Sequence, residues 1–390
     1  MSINLSQEEQ NIHNKILELK SSAGSHSPSI QALKTISNRI DIKVDACFLS
    51  NPYATDLFLS HLKKDVLGKP IFREYLEFYP SQNDEIASNL SSIINVDKDN
   101  ILIGNGASEI IESICNTLIE DNCVITLPTF SSYYEFLPKD VQRIFYQTTI
   151  ENDFKIDLED YINFVKKHKA NSVIIINPNN PTGFYFKKHE IVRILEELSF
   201  CKNIILDESF IHFAYEDDSL EMINYYDLIT DYPNLIIVKS MSKDFGIAGI
   251  RSGYSVMDKR IVKKFLSQGF LWNSNGLAEY FFNLYRDNDF RLSYEIERKK
   301  YIEEIKVFHK YLRKIDGIKC IPTFANFFLI SLEELGDSEL ICSLMLLRDG
   351  IYTRNCDDKK GLDGNFLRIA SRSKEENILI GNSLKGVIEN

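Results

Sequence analysis

At 390 residues the chain exceeds one ordinary domain, so one large and one smaller domain are expected. Its 44% hydrophobic and 26% charged residues give the composition of a soluble globular protein, and 45 basic against 56 acidic residues (net −11) exclude the broad basic surface of a general nucleic-acid binder, though not a local basic pocket. Seven scattered cysteines without a C-x-x-C pair argue against a disulfide framework or zinc site, and no apolar run is long enough to span a bilayer, so a reduced, cytoplasmic protein is expected.

Ser6 with Glu9 forms a capping box, and Ile12, Ile16 and Leu19 recur at helical spacing, so the chain opens with an amphipathic helix. Its apolar stripe packs either on its own subunit or across a dimer interface. Ser21 to Ser29, rich in serine and glycine, reads as a loop. From about Asn100, apolar runs alternate with helix-length stretches: 101–103, 123–127, 143–147, 172–176, 203–206 and 234–238. This pattern predicts an α/β fold, a mostly parallel sheet covered by helices. From about Asp287 a charged helix (291–314) and two strand candidates (326–330 and 365–369) predict a smaller α+β domain. The expected division is 1–55 as N-terminal helix and arm, 56–286 as large domain and 287–390 as small domain.

Several of these runs end in chemically informative turns. Gly104-Asn105-Gly106-Ala107-Ser108 lies between a strand and the helical run 110–118, where small residues let helix N-terminal N–H groups approach a phosphate. Asn177-Pro178-Asn179-Asn180-Pro181-Thr182-Gly183 is a rigid polar turn after a strand, and Asp207 ends another strand. Lys243 follows the run 235–238, flanked by Ser240 and Ser242, with Arg251 eight residues on. A lysine amine, hydroxyls and a guanidinium in this arrangement are what pyridoxal 5′-phosphate (PLP) requires, and strand ends on one sheet edge converge on a common crevice.

The order Asn180, Asp207, Lys243, Arg251 resembles the fold-type I aminotransferase superfamily from about Asn51 to the C-terminus. The resemblance implies that Lys243 is the Schiff-base lysine and that Asp207 pairs with the pyridine nitrogen. The plain reading of Asp207 is a loop cap. Asn180 would donate to the cofactor's phenolic oxygen. Gly106, Ala107, Ser108, Ser240, Ser242 and Arg251 would cup its phosphate. Phe130 matches the ring that stacks on the pyridine, with Tyr133 as fallback and an ordinary core aromatic as the plain alternative. Tyr79 matches a tyrosine that reaches the neighbouring subunit's cofactor, which implies a homodimer.

Phe210 stands where this family usually has tyrosine, and segments 351–356, 361–363 and 367–373 most resemble the L-threonine and L-serine O-phosphate decarboxylases. The resemblance implies that Arg354 and Arg368 grip a substrate phosphate, freeing the carboxylate to leave as carbon dioxide. His26, in Gly24-Ser25-His26-Ser27, falls near the place of a phosphate-binding histidine, though a lone loop histidine is more often solvated. Asn51 is a further candidate substrate ligand, although Leu49 replaces an asparagine common in that loop; Arg372 is either a third ligand or a solvated charge. The expected activity is decarboxylation of an O-phosphorylated hydroxy-amino acid, serine ahead of threonine. The alternatives are an aminotransferase of the histidinol-phosphate type, and a regulatory protein that has kept the fold without turnover.

Overall fold

Alternate residues of the apolar runs point to opposite faces of one sheet, and both faces are covered. In the computed structural model, which describes residues 5–22, 26–269, 273–332 and 335–389, Ile103, Val124, Ile175, Leu206 and Ile237 lie in one buried cluster. Leu102, Ile125, Ile174, Ile205 and Ile236 lie in another. Seven strands form the sheet: β1 (Ile101–Asn105), β2 (Asn122–Leu127), β3 (Gln142–Gln147), β4 (Ser172–Ile176), β5 (Asn203–Asp207), β6 (Leu235–Ser240) and β7 (Ser252–Val256). Their spatial order is β1-β7-β6-β5-β4-β2-β3, parallel from β6 to β3.

β7, antiparallel to both β1 and β6, was not expected. Its sequence Ser252-Gly253-Tyr254-Ser255-Val256 carries no apolar run, and the chain reaches it through Arg251 in the left-handed region (φ 60°). Gly253 is required there: a Cβ would stand 2.7 Å from the Ala107 nitrogen, so only glycine lets the strand pass under the N-terminus of helix Ala107–Thr117.

The register places the ends of these strands at one edge. Ile176 is level with Asp207, Asp207 with Val238, Ser240 with Gly253, and Gly253 with Gly104. The residues following β1, β2, β4, β5 and β6 therefore emerge together, as the convergence argument requires.

A second, antiparallel sheet is ordered Arg354–Asn355, Phe366–Ala370, Phe327–Ser331, Lys319–Cys320, with its own apolar core under helices Asn288–Leu312 and Lys374–Glu389. It meets the large sheet's edge through Arg368, whose Nη1 donates to Asn180 Oδ1 at 2.7 Å. The N-terminal helix Gln7–Ser22 starts with the expected capping box, Ser6 N to Glu9 Oε2 at 2.8 Å and Glu9 N to Ser6 Oγ at 3.2 Å. It lies on its own chain: Ile12 packs with Leu33, Leu346 and Tyr352, and Lys20 pairs with Glu339 at 2.6 Å. Residues 1–4 and 23–25, including Gly24 and Ser25 of the expected histidine loop, lie outside the described residues.

Candidate active site

One cavity of about 260 Å³ opens at the shared edge. It is lined by Ala107, Ser108, Phe130, Asn180, Asp207, Phe210, Ser240, Ser242, Lys243 and Arg251 from the large sheet, by Arg354 and Arg368 from the small one, and by His26. Lys243, Arg251, Arg354, Arg368 and Lys359 line it against one acid, Asp207, among the described residues. A cationic cavity in a chain of net charge −11 is built for anions.

Lys243 sits on the single helical turn Met241–Asp244 after β6, capped by Ser240, whose Oγ accepts from Ser242 N. Burial, then the Arg368 and Arg251 guanidiniums, lower its pKa to about 8, so far more amine is neutral near pH 7 than in an ordinary lysine. Asp207 is buried, and burial raises its pKa; its oxygens accept from Ser209 N and the Tyr133 hydroxyl, each at 2.8 Å. Two hydrogen bonds fix the carboxylate toward the cavity. Phe130 lines the cavity wall, whereas Tyr133 is fully buried behind Asp207 as a positioning residue, a role that sequence spacing alone did not separate from stacking. Tyr133→Phe is expected to lower turnover about ten- to a hundred-fold, the worth of a hydrogen bond to a charged group, and to weaken cofactor retention on dialysis. Unchanged turnover and retention would remove that role.

From the large sheet, the N-terminus of helix Ala107–Thr117, Ser108, Ser240, Ser242 and Arg251 surround a common space. Gly106, at φ 79°, is backed by the Arg251 guanidinium so closely that any Cβ would collide with it. From the small sheet, Arg354 and Arg368 are directly opposite one another in the antiparallel ladder. Like charges in that relation are destabilising unless an anion lies between or beside them. Arg354 Nη2 meets Asp358 Oδ2 at 2.6 Å, and Arg368 Nη2 donates to the Cys47 carbonyl at 2.9 Å while its buried Nε has no hydrogen-bond partner. His26 is half-exposed at the rim, its ring 6.3 Å from Phe130 and its Nε2 3.7 Å from Glu135.

The expected ligand Asn51, the open candidate Arg372, and Tyr79, which the resemblance assigned to a neighbouring subunit, do not line this cavity. Asn51 does not line the cavity: fully buried, it caps helix Pro52–Asp65, accepting from Tyr53 N and Ala54 N, and its amide donates to the Asp244 carbonyl at 3.2 Å. Its backbone N–H also donates to the Lys243 carbonyl at 3.1 Å, so it pins the lysine turn rather than touching a ligand. Arg372 is also outside, donating to the Ser50 carbonyl at 2.9 Å. Tyr79 is 80% exposed on the loop after helix Ile71–Glu77, away from this chain's own cavity. Lys359, buried in the lining, was missed because Lys359-Lys360 reads as a solvated charged pair.

A mostly parallel sheet with a lysine, a buried acid and an anion cup at its carboxyl edge defines the class. The chain belongs to the Aminotransferase class I and II family, which it matches over residues 50–379. Within that family it is 45% identical over 389 residues, the full length of both chains, to a Campylobacter jejuni protein named L-serine phosphate decarboxylase. Its fold superposes on a decarboxylase from Sulfurospirillum multivorans with a TM-score of 0.94 at 40% identity, covering 98% of this chain and 97% of that one. It superposes on a histidinol-phosphate aminotransferase from Clostridium acetobutylicum with 0.75 at 31% identity, covering 89% and 99%. Membership implies dependence on PLP. The residues fit that group: Ser242 Oγ is buried in the anion cup without a hydrogen-bond partner, and Asp207 presents a carboxylate whose burial favours a cationic neighbour.

Proposed function

We propose that the chain decarboxylates L-serine O-phosphate to ethanolamine phosphate, with L-threonine O-phosphate, which would give 1-aminopropan-2-yl phosphate, as the weaker substrate. The observation that carries this reading is the pair Arg354 and Arg368, which the small sheet brings to the same cavity as the large sheet's Arg251 cup. Two cationic sets, one from each sheet, suit two phosphates, the cofactor's and the substrate's. The full-length likeness to the Campylobacter decarboxylase supports the reaction class.

When bound, PLP supplies an electron sink for the charge left on the substrate's α-carbon as a bond there breaks. Ser108, Ser240, Ser242, Arg251 and the helix N-terminus at Gly106 and Ala107 would hold its phosphate, Asp207 would serve its ring nitrogen, Asn180 its phenolic oxygen and Phe130 its ring. Phe210, buried edge-on against Phe327 at 5.1 Å, brings no hydroxyl to that oxygen. Arg354 and Arg368 bind the substrate phosphate, so Arg368 does not hold the carboxylate, which is left free to depart. Carbon dioxide leaves, and Lys243 Nζ delivers a proton to the α-carbon. His26 closes the phosphate end from the rim. We place Tyr79 at the cofactor phosphate of a second subunit, which makes the working unit a homodimer, and the seven free thiols suit a reducing cytoplasm. No described helix is long and apolar enough to cross a membrane.

A second reading rests on Arg368, whose hydrogen bond to Asn180 keeps it beside the reacting end, where a carboxylate-gripping arginine of an aminotransferase belongs. Phosphorus NMR of PLP-loaded protein with O-phospho-L-serine, and separately O-phospho-L-threonine, in the absence of any keto acid, separates the two. Catalytic ethanolamine phosphate, formed faster than the threonine product, is expected. Silence from both substrates, followed by turnover of a phosphorylated amine once 2-oxoglutarate is added, would transfer the assignment to transamination.

A further inference from the structure

The loop between the strands bearing Arg354 and Arg368 carries two adjacent lysines with opposite fates. Lys360 turns outward and stacks its ammonium over the Phe145 ring at 3.8 Å, while Lys359 is only 8% exposed and lines the cavity. The loop that presents it is tightly held. Lys359 N donates to the Cys356 carbonyl at 2.9 Å, Leu362 N to the Lys359 carbonyl at 3.0 Å, and Gln147 Nε2 to the Gly361 carbonyl at 2.9 Å. Gly361, at φ 87°, sits so close to Leu127 and Gln147 that a side chain there would have to displace them. The loop is therefore locked to the β2–β3 edge of the large sheet with Lys359 directed inward.

Burying a long cationic side chain beside two guanidiniums costs free energy through desolvation and repulsion. Burial, then Arg354, lower the Lys359 pKa to about 8, while Asp358 opposes the shift. Such a group is retained where an anion of more than one charge repays the repulsion. A phosphate monoester carries about −1.5 to −2 near pH 7 and offers three acceptor oxygens. Two arginines supply planar forks for two of its edges, and a lysine adds a compact point charge.

We propose that Lys359 is a specificity-determining residue that binds the substrate's phosphate together with Arg354 and Arg368, and so selects a phosphate dianion over a singly charged or neutral side chain. This rests on the phosphorylated-substrate reading above. Asp358, already paired with Arg354, orients that guanidinium for the same ligand. The phosphate would thus be held by two adjacent strands of the small sheet and by the loop that joins them.

The test uses the PLP-loaded wild type with Lys359→Met, Lys359→Gln and Lys359→Arg, each checked for wild-type melting. For either charge-removing variant, KM for O-phospho-L-serine is expected to rise about ten- to a hundred-fold, the worth of one charge-assisted contact, with kcat within about threefold. Lys359→Arg should restore most of the affinity. Calorimetry with ethanolamine phosphate should show the same loss of affinity, while binding of unphosphorylated L-serine stays level. Wild-type affinity for ethanolamine phosphate in a folded charge-removing variant would overturn the proposal and leave the reaction standing. Equal wild-type affinity for ethanolamine and ethanolamine phosphate would overturn it together with the phosphorylated-substrate reading. A loss of affinity that Lys359→Arg does not restore, and that extends equally to L-serine, would assign Lys359 a structural role instead.

Discussion

Lys243→Ala is expected to abolish carbon dioxide release from O-phospho-L-serine, by at least about 10⁴-fold, while leaving the protein folded. The substitution removes the amine that anchors the cofactor and the proton donor to the α-carbon, and general acid–base transfer alone is typically worth about 10² to 10⁴. Stability should not suffer, because the lysine is held at a cost. Its folded pKa of about 8 lies below that of a free lysine, so the ordinary charged form is disfavoured in the fold. The sign follows: a base with a depressed folded pKa supports the fold above its unfolded pKa, and that support is lost as pH falls through the folded one. At pH 7 the alanine variant should therefore melt at or above the wild-type temperature. The same depression is directly measurable in cofactor-free protein by competitive acetylation at a series of pH values, read by peptide mass. A midpoint near pH 8 at Lys243 is expected. Residual decarboxylation within tenfold of wild type would sink the assigned role, and a midpoint near the ordinary lysine value would sink the account of how the amine is kept reactive.

The outline of this site was legible because it is built from strand ends. An apolar run that stops at a polar residue marks both a strand and an edge, and parallel register then carries Asn180, Asp207 and Lys243 to one place without knowledge of their contacts. What was not legible depended on side-chain direction. Ser252–Val256 is a strand buried on both faces by packing rather than by apolar composition, so its serines and glycine hid it. Asn51 stands close in sequence to cavity-lining Leu49, yet its side chain turns back to cap a helix, a choice made by Pro52 at the first helical position and by the Asp244 carbonyl opposite. Lys359 and Lys360 are indistinguishable in composition, and only the locked turn at Gly361 sends one inward and the other onto an aromatic ring.

The largest stability effect is expected at Lys239→Met, beneath the site. Lys239 is fully buried at the end of β6, ion-paired with the equally buried Asp244, and donates to the Glu208 carbonyl at 3.0 Å. It thereby ties β6 to the far end of the turn that carries Lys243, the same turn that Asn51 holds through the Asp244 carbonyl. Few neighbouring groups can take over the charge. Burial holds His212, 3.4 Å from Asp244, well below the ordinary histidine range and hence neutral at pH 7, and pushes Glu208 up to about 8. Arg298 is spent on the His212 carbonyl and Glu295. Removing the lysine leaves a buried carboxylate uncompensated, which costs about 3–5 kcal/mol. Replacing both partners, Lys239→Met with Asp244→Leu, should recover most of it, because the double variant buries neither charge. The pH dependence discriminates this cause from a packing defect. Burial raises the Asp244 pKa to about 6 even with Lys239 opposing it, and without the lysine it moves further up. An acid with a raised folded pKa supports the fold below its unfolded value and loses that support as pH rises through the folded one. The deficit of Lys239→Met, measured by urea unfolding, should therefore be smaller at pH 5.5 than at pH 8. A deficit independent of pH, or a double variant no better than the single one, would mean that shape rather than charge at Lys239 holds the lysine turn in place.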